Sequence, residues 1–260
     1  MRRGAVASWA FVALLLAFLF APVVVVVLFS FNSASSTSLP FAGFSSRWYE
    51  EAFSNPQFRD ALKNSIFVAL VTATIVLVLG ANASFALARR PSRLLNYFSS
   101  FVTTPLIVPG LFLGVALLAF YDRLDFRRSL WTVIIGHVLI TLPFVVLIVN
   151  ARLMRLDRSI EEAARDLGAT PLQAFRKIIL PLVSPALVGS VLIAIAWSFD
   201  EFIITFFTIG GQLTLPIMIW GMLRRGIDPS VNAIASVILA TTILATIVAA
   251  RLVSARSFLR

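Results

Sequence analysis

Two adjacent carboxylates, Asp200 and Glu201, lie near the end of a long apolar stretch in this 260-residue chain. No other acid lies within a segment that the sequence predicts to span a membrane, and ionisable groups there indicate a solute pathway by default. Trp197 lies in the same polar run and completes this candidate site. Neighbouring helix residues point about 100° apart, so both acids cannot face a pathway equally well. The alternative is that one acid pairs with Arg224 or Arg225 at the outer surface.

A second candidate site is the most polar and most helix-favouring segment of the chain, residues 157–181. Asp157 and Ser159 can cap the start of a helix there, and Glu161 and Glu162 fall in its first turn, where carboxylates complement the helix dipole. Gly168 is predicted to end this helix in a left-handed conformation.

A second short helix is predicted directly after this turn. Thr170 is placed as its N-cap, Pro171 at its first position and Gln173 three residues past the cap, which is the pattern of a capping box. Pro181 is predicted to open the next apolar segment. The segment is therefore expected to form two short amphipathic helices between membrane spans.

Several kinds of chemistry are excluded by the residues that are missing. The only lysines, Lys63 and Lys177, do not follow the glycine pattern of a phosphate-binding loop, so the chain is not expected to hydrolyse ATP. There is neither a nucleophile elbow nor a zinc-protease motif, which disfavours a membrane enzyme. The chain has no cysteine, and its single histidine, His137, cannot build a metal site alone. We predict that His137 packs between helices and hydrogen-bonds a neighbour.

The composition is that of a membrane protein: 59% of the residues are hydrophobic and 13% are charged. The fold class predicted is an all-α integral membrane protein with six transmembrane helices and a cytoplasmic two-helix loop. The spans are expected at about residues 5–31, 62–87, 98–121, 130–151, 182–207 and 231–253. The third span contains Pro105 and Pro109 and is expected to be kinked and buried in the bundle.

The distribution of basic residues predicts the orientation. Six spans place both termini on one side of the membrane, and that side carries all of the net charge of +10. By the positive-inside rule, both termini and the 157–181 segment are cytoplasmic. The basic charge is thus a topology signal that attracts anionic lipid heads, and no nucleic-acid partner is expected.

The 157–181 segment resembles the EAA loop of permease subunits in binding-protein-dependent ABC importers. The pattern reads Glu162-Ala163-Ala164, then Gly168, then Ile178 and Leu180-Pro181, with every family spacing kept. In that family the loop is cytoplasmic and docks into a groove on a separate ATPase. The resemblance implies an ATPase-coupling surface, which consists of Glu161, Glu162, Ala163, Ala164, Gly168, Ala169 and Pro171.

Further stretches resemble the spermidine/putrescine branch of these permeases: residues 29–32, 64–65, 198–200, 215–216 and 228–233. The function this implies is passage of a small solute, expected to be a polyamine, from a periplasmic binding protein to the cytoplasm. The same stretches are shared with permeases for opines, iron and phosphonates, so those solutes remain alternatives. A stand-alone secondary transporter is the rival function, but the Pro105/Pro109 kink has no counterpart three spans later, as an internal repeat would require.

The resemblance also implies partners and a location. They are two copies of an ATP-binding subunit, which hold ATP and magnesium, a second permease subunit and a periplasmic binding protein, all at the bacterial inner membrane. The second permease is usually non-identical in the polyamine branch, and this sequence leaves its identity open.

The domain division expected is residues 1–60, the first span and an external loop, and residues 61–254, the permease domain. The loops at 43–60 and 208–230 are expected to contact the binding protein, because they carry the interface-favouring residues Trp48, Tyr49 and Trp220.

Overall fold

The computed structural model describes residues 2–34, 41–89, 92–157, 159–225 and 229–257. Over these residues the chain is helical apart from turns and one isolated bridge between Asn32 and Phe44. The helices are α1 (Arg2–Phe29), α2 (Arg47–Ser54), α3 (Pro56–Arg89), α4 (Arg93–Thr103), α5 (Gly110–Arg123), α6 (Leu130–Met154), α7 (Ser159–Asp166), α8 (Pro171–Ala174), α9 (Leu180–Asp200), α10 (Ile203–Thr208), α11 (Leu215–Arg225) and α12 (Ser230–Ser257). The predicted all-α membrane fold is confirmed.

Four helical stretches of the described residues are long and apolar enough to cross a membrane. They are Ser8–Phe29, Pro56–Arg89, Leu130–Met154 and Pro171–Asp200. A fifth is added if Arg93–Leu106 and Gly110–Arg123 count as one broken span. The sixth predicted span falls in α12 (Ser230–Ser257), in which Ser230–Leu244 is the apolar stretch with described side chains. The count of six therefore stays a prediction.

The predicted third span is broken rather than kinked. Helices α4 and α5 are bent by 102° relative to each other, with a 3-10 turn at Thr104–Leu106 between them. Proline lacks the N–H group that an α-helix needs and its ring crowds the preceding turn, so Pro105 and Pro109 stop the helix here. The prediction that this region is buried is also wrong, because the Ile107 side chain is 83% exposed.

The chain forms two compact units. The first consists of Met1–Arg59 and Met218–Leu244, and the second of Asp60–Ile217 and Ala245–Arg260.

Helix α11 starts within residues 208–230, which were predicted to be a loop. The apolar stretch from Leu215 onward is long enough to form three helical turns.

In the first unit, α2 is held against the turn that follows α1. The indole N–H of Trp48 donates a hydrogen bond of 2.7 Å to the carbonyl oxygen of Asn32. The Tyr49 hydroxyl lies 2.7 Å from Oγ of Ser30. The short helix α2 therefore lies within the predicted external loop and is tied to the turn after α1. Trp48, however, is buried, so its predicted role as a docking residue is wrong.

The core of the second unit lies between α3, α6 and α9. Its buried side chains are Ala73, Val76, Val145, Val149, Ile179, Val183 and Ala194. Helices α3 and α6 pack closely at Gly80, where an added Cβ would lie 2.6 Å from Cγ1 of Val145. The Ser84 hydroxyl, one turn later, lies 3.1 Å from the carbonyl oxygen of Val146. This packing fixes α9, which carries the candidate pathway residues.

Candidate solute pathway and coupling segment

The helix that carries the two acids ends at them. Helix α9 stops at Asp200, Glu201 has extended backbone angles (φ −70°, ψ 111°), and α10 starts at Ile203. The predicted continuous span over residues 182–207 is therefore wrong. The side chain of Glu201 explains the break, because its Oε1 accepts a hydrogen bond of 2.9 Å from the backbone N–H of Ile204. It thus satisfies one of the donors that a helix start leaves free.

Asp200 and Trp197 lie together on an exposed face of α9. They are three residues apart and so share one side of the helix. Trp197 is 43% exposed, Asp200 is also exposed, and among the described side chains of its unit Asp200 forms no ion pair. The sequence-predicted pairing of one acid with Arg224 or Arg225 stays a prediction.

The structure adds one aromatic residue to this site. The ring of Phe144 on α6 lies 4.5 Å from the ring of Trp197, centroid to centroid, with 36° between the planes. No sequence signal distinguished Phe144 from the other apolar residues of its span. Glu201, by contrast, does not share this face, because its carboxylate is occupied at the start of α10.

His137 on α6 lies beside the break between α9 and α10. Its side chain is 1% exposed. Nδ1 lies 2.7 Å from Oγ of Ser198 and Nε2 lies 2.8 Å from Oγ1 of Thr205. The prediction of a packing residue that hydrogen-bonds a neighbour is confirmed, with two neighbours rather than one.

Helix α10 packs closely on α5 and α6 because glycines face it. An added Cβ at Gly136 would lie 2.6 Å from Cγ2 of Ile204, and one at Gly114 would lie 2.7 Å from Cδ2 of Phe207. The Thr132 hydroxyl also lies 2.8 Å from the carbonyl oxygen of Thr208. The short helix after the acids is therefore held at both ends against α6.

The candidate coupling segment, residues 157–181, starts with an aspartate cap. Oδ1 of Asp157 accepts a hydrogen bond of 2.9 Å from the backbone N–H of Ser159, the first residue of α7. This bond, helped by the Ser159 hydroxyl, lowers the pKa of the Asp157 carboxyl below its ordinary value. The prediction that Asp157 caps this helix is confirmed.

Helix α7 ends at a glycine, as predicted. Gly168 has φ +88°, and its N–H bonds the carbonyl oxygen of Arg165 at 2.9 Å. The next N–H, that of Ala169, bonds the carbonyl oxygen of Ala164 at 3.0 Å. These two bonds form a Schellman motif around a left-handed residue. An added Cβ at Gly168 would meet nothing within 4 Å, so only the backbone conformation requires glycine.

The capping box after this turn is also present. The N–H of Gln173 donates to Oγ1 of Thr170 at 3.3 Å, and the N–H of Thr170 donates to Oε1 of Gln173 at 2.9 Å. Pro171 is the first helical residue.

The second helix does not stop before the next span, which corrects the prediction. A π turn at Phe175–Ile179 joins α8 to α9, and the N–H of Leu180 bonds the carbonyl oxygen of Phe175. Pro181 has no N–H to donate to the backbone hydrogen bonds of the helix, and its ring crowds the preceding turn. The wider π turn accommodates the proline while the helix continues.

The residues assigned to ATPase coupling differ in their exposure. Glu162, Ala163, Gly168 and Pro171 are exposed, Ala169 is half-buried and Ala164 is buried. Glu161 is partly exposed and forms an ion pair with Arg89 at the end of α3, with Nη2 and Oε2 2.9 Å apart. Leu167, which the sequence analysis did not select, is 90% exposed at the end of α7.

Comparison with known proteins places these features in a family. Residues 77–257 match the family described as "Binding-protein-dependent transport system inner membrane component". The chain is 37% identical to the putrescine transport system permease protein PotI of Escherichia coli (strain K12), over 89% of this chain and 85% of that protein. It is 31% identical to the spermidine/putrescine transport system permease protein PotC of the same strain, over 88% of this chain and 87% of that protein.

Solved structures show the same fold at low sequence identity. A bacterial ABC transporter that imports the acidic polysaccharide alginate has a TM-score of 0.70 at 16% identity and covers 97% of this chain and 96% of its own. An inward-facing MetNI methionine ABC transporter has a TM-score of 0.65 at 20% identity and covers 77% of this chain and 95% of its own. From the family match and the identity to the two permeases, the chain belongs to the family of inner membrane components of binding-protein-dependent transport systems.

Proposed function

We propose that the chain is a permease subunit of an ATP-driven importer for polyamines such as putrescine and spermidine. The observation that carries the choice of solute is the exposed pair of Asp200 and Trp197 at the end of α9. The names of the relatives PotI and PotC support it, since both are permeases of putrescine or spermidine systems.

The site chemistry suits a chain of methylene groups that carries ammonium ions. A carboxylate attracts an ammonium group, and the face of an indole ring attracts a cation and also contacts methylene groups. Asp200 is exposed, so a solute bound there keeps part of its hydration and can leave again. The aromatic pair of Phe144 and Trp197 provides the apolar wall beside the carboxylate.

The coupling segment 157–181 is proposed to face the cytoplasm and to dock on a partner ATPase that binds ATP and magnesium. Its exposed residues, Glu162, Ala163 and Leu167, form the contact. Two copies of this ATPase and a second, non-identical permease subunit complete the membrane complex. Both termini of the chain are proposed to be cytoplasmic at the bacterial inner membrane, and residues 61–254 to form the permease domain, preceded by a span and an external loop at 1–60.

The periplasmic binding protein is proposed to dock on the loops at 43–60 and 208–230. In the first of these, Phe44 is 79% exposed and Phe53 is also exposed, whereas Trp48 is buried. The aromatic contacts in that loop are therefore assigned to the two phenylalanines.

Purification and reconstitution test this function together. The tagged chain should copurify from native membranes with an ATPase and a second permease. The reconstituted complex should then take up radiolabelled putrescine only with ATP and the binding protein. Uptake without ATP by the chain alone would instead support the secondary transporter. ATP-driven uptake of a methionine or phosphonate probe, without uptake of putrescine or spermidine, would overturn the assignment of polyamines as the solute.

A further inference from the structure

We infer that His137 is a positioning residue for solute binding, because it joins the two helices on either side of Asp200. This inference rests on the proposed function, in which Asp200 contacts the solute. His137 itself is buried and does not reach the exposed face of α9.

The contacts of His137 cross the break in the chain. Ser198, on the Nδ1 side, is the last buried residue of α9 and lies two residues before Asp200. Thr205, on the Nε2 side, lies in the first turn of α10. The segment between these two contacts contains Asp200 and the extended residue Glu201. One side chain from α6 therefore contacts the chain two residues before and five residues after the carboxylate.

The hydrogen bonds around this imidazole are mutually consistent in one tautomer. The Thr205 hydroxyl donates its proton to the carbonyl oxygen of Glu201 at 2.8 Å. Thr205 Oγ1 must therefore accept from His137, which places the imidazole proton on Nε2. Nδ1 is then an acceptor and receives the proton of the Ser198 hydroxyl. Every polar atom of the three side chains has a partner, and the carbonyl oxygen of Glu201 at the break is satisfied too.

This arrangement determines where the Asp200 carboxylate points. Upstream of Ser198, α9 is held by core packing at Ala194, and downstream of the break α10 is held by Gly136. The two His137 contacts add one hydrogen bond to α6 on each side of the break. Loss of either His137 contact removes one hydrogen bond to α6 on that side of the break, and we expect the Asp200 carboxylate then to sample more directions.

Two substitutions separate the two contacts. In His137→Asn the amide oxygen takes the place of Nδ1 and keeps the bond to Ser198 only. In His137→Gln the amide nitrogen takes the place of Nε2 and keeps the bond to Thr205 only. Each should raise the half-saturating putrescine concentration about three- to tenfold, the effect of one interhelical hydrogen bond, with a smaller change in the maximal ATP-driven uptake rate.

Variants of the two hydrogen-bond partners, Ser198 and Thr205, test the same contacts without changing His137. Ser198→Ala and Thr205→Val each remove one partner of His137 and should also raise the half-saturating putrescine concentration. Thr205→Ser retains the hydroxyl and should behave as wild type. Thr141→Val and Ser190→Ala are controls, because those buried hydroxyls bond only carbonyl groups of their own helices. If the His137 variants fail to assemble, the comparison of Ser198→Ala with Thr205→Ser shows whether loss of a His137 contact raises the half-saturating putrescine concentration.

The deciding measurement combines these variants with Asp200→Asn, using the reconstituted complex and radiolabelled putrescine. If His137 acts by aiming Asp200, His137→Asn should have no further effect on the half-saturating concentration in the Asp200→Asn background. Equal effects in both backgrounds would show a purely structural role and overturn this inference alone. If the Asp200→Asn variant transports putrescine as the wild type does, the assignment of Asp200 to the pathway is wrong, and so is the proposed role of His137.

Discussion

Arg89, the last residue of α3, holds both carboxylate oxygens of Glu161, which lies 72 residues later in the first helix of the coupling segment. Nη2 of Arg89 donates to Oε1 at 3.1 Å and to Oε2 at 2.9 Å. Glu161 is therefore attached to α3 of its own chain, whereas the carboxylate of the neighbouring Glu162 is exposed. We expect Glu162 to contact the ATPase, and the Arg89–Glu161 pair to join α7 to α3.

The first prediction is that breaking this pair weakens coupling more than it weakens folding. The pair is partly exposed, so its loss should cost no more than about 1 kcal/mol of stability. Arg89→Gln should lower the ratio of solute taken up to ATP hydrolysed, measured in proteoliposomes. The charge exchange Arg89→Glu with Glu161→Arg should restore it. Lys63→Gln is the control, since the pair of Lys63 and Asp60 is highly exposed; an equal loss there would contradict the assignment.

The second prediction concerns the turn at Gly168. Gly168→Gln should release the ATPase or uncouple its hydrolysis from transport, since a side chain costs about 1–2 kcal/mol at a positive φ. Gly168→Asn should be milder, because asparagine tolerates the left-handed conformation better. Space around the residue is open, so a clash would not explain a difference between the two. ATPase retention on the purified complex and solute uptake per ATP hydrolysed are the measurements, and wild-type values of both in Gly168→Gln would refute the role of the turn.

The third prediction is a pH dependence at the start of α7. The Ser159 N–H stabilises the ionised Asp157 carboxyl and lowers its pKa below the ordinary value of 3.8. The cap is therefore complete above pH 3.8 and is lost as the pH falls through the lowered pKa. Amide hydrogen exchange at Ser159, corrected for the intrinsic rate, should accelerate in that acidic range. Asp157→Ala should exchange rapidly at every pH, and an unchanged rate in this variant would exclude the cap.

The fourth prediction separates the two acids. Asp200→Asn removes the charge on the exposed face of α9, so polyamine uptake should fall severalfold while assembly persists. Glu201→Gln keeps an oxygen for the Ile204 N–H and should change uptake little, whereas Glu201→Ala removes this cap and should destabilise α10 by about 1 kcal/mol. Wild-type uptake kinetics in Asp200→Asn combined with Glu201→Gln, at equal expression, would remove both acids from the pathway.

The fifth prediction concerns the surface that meets the binding protein. A photo-crosslinking residue in place of Phe44 should link to the binding protein, because that side chain is highly exposed. The same residue in place of Trp48 should not, since Trp48 is buried and bonded to Asn32 within its own unit. Crosslinks to the binding protein that form only from residues 157–181 would reverse the proposed orientation.

Features that depend on neighbours in the chain were predictable from the sequence. The cap at Asp157, the left-handed Gly168 and the capping box of Thr170 and Gln173 all arise within a few residues, and each is present. The break after Asp200 was not predictable, because Glu201 in an apolar run has no pattern that identifies it as a cap. The partners of His137 are 61 and 68 residues away and depend on how α6 packs against α9 and α10. The burial of Trp48 likewise depends on the fold of the first unit.

The π turn before α9 has a mechanical consequence. Because the helix passes through it without a break, Pro171 at the coupling segment and Asp200 at the pathway are the two ends of one 30-residue rod. At 1.5 Å per residue this rod is about 45 Å long, so a tilt of about 5° about one end displaces the other by about 4 Å. That displacement exceeds the length of a hydrogen bond. If the proposed ATPase docks at residues 157–181, a small rocking of its surface would be sufficient to move the Asp200 carboxylate by this distance.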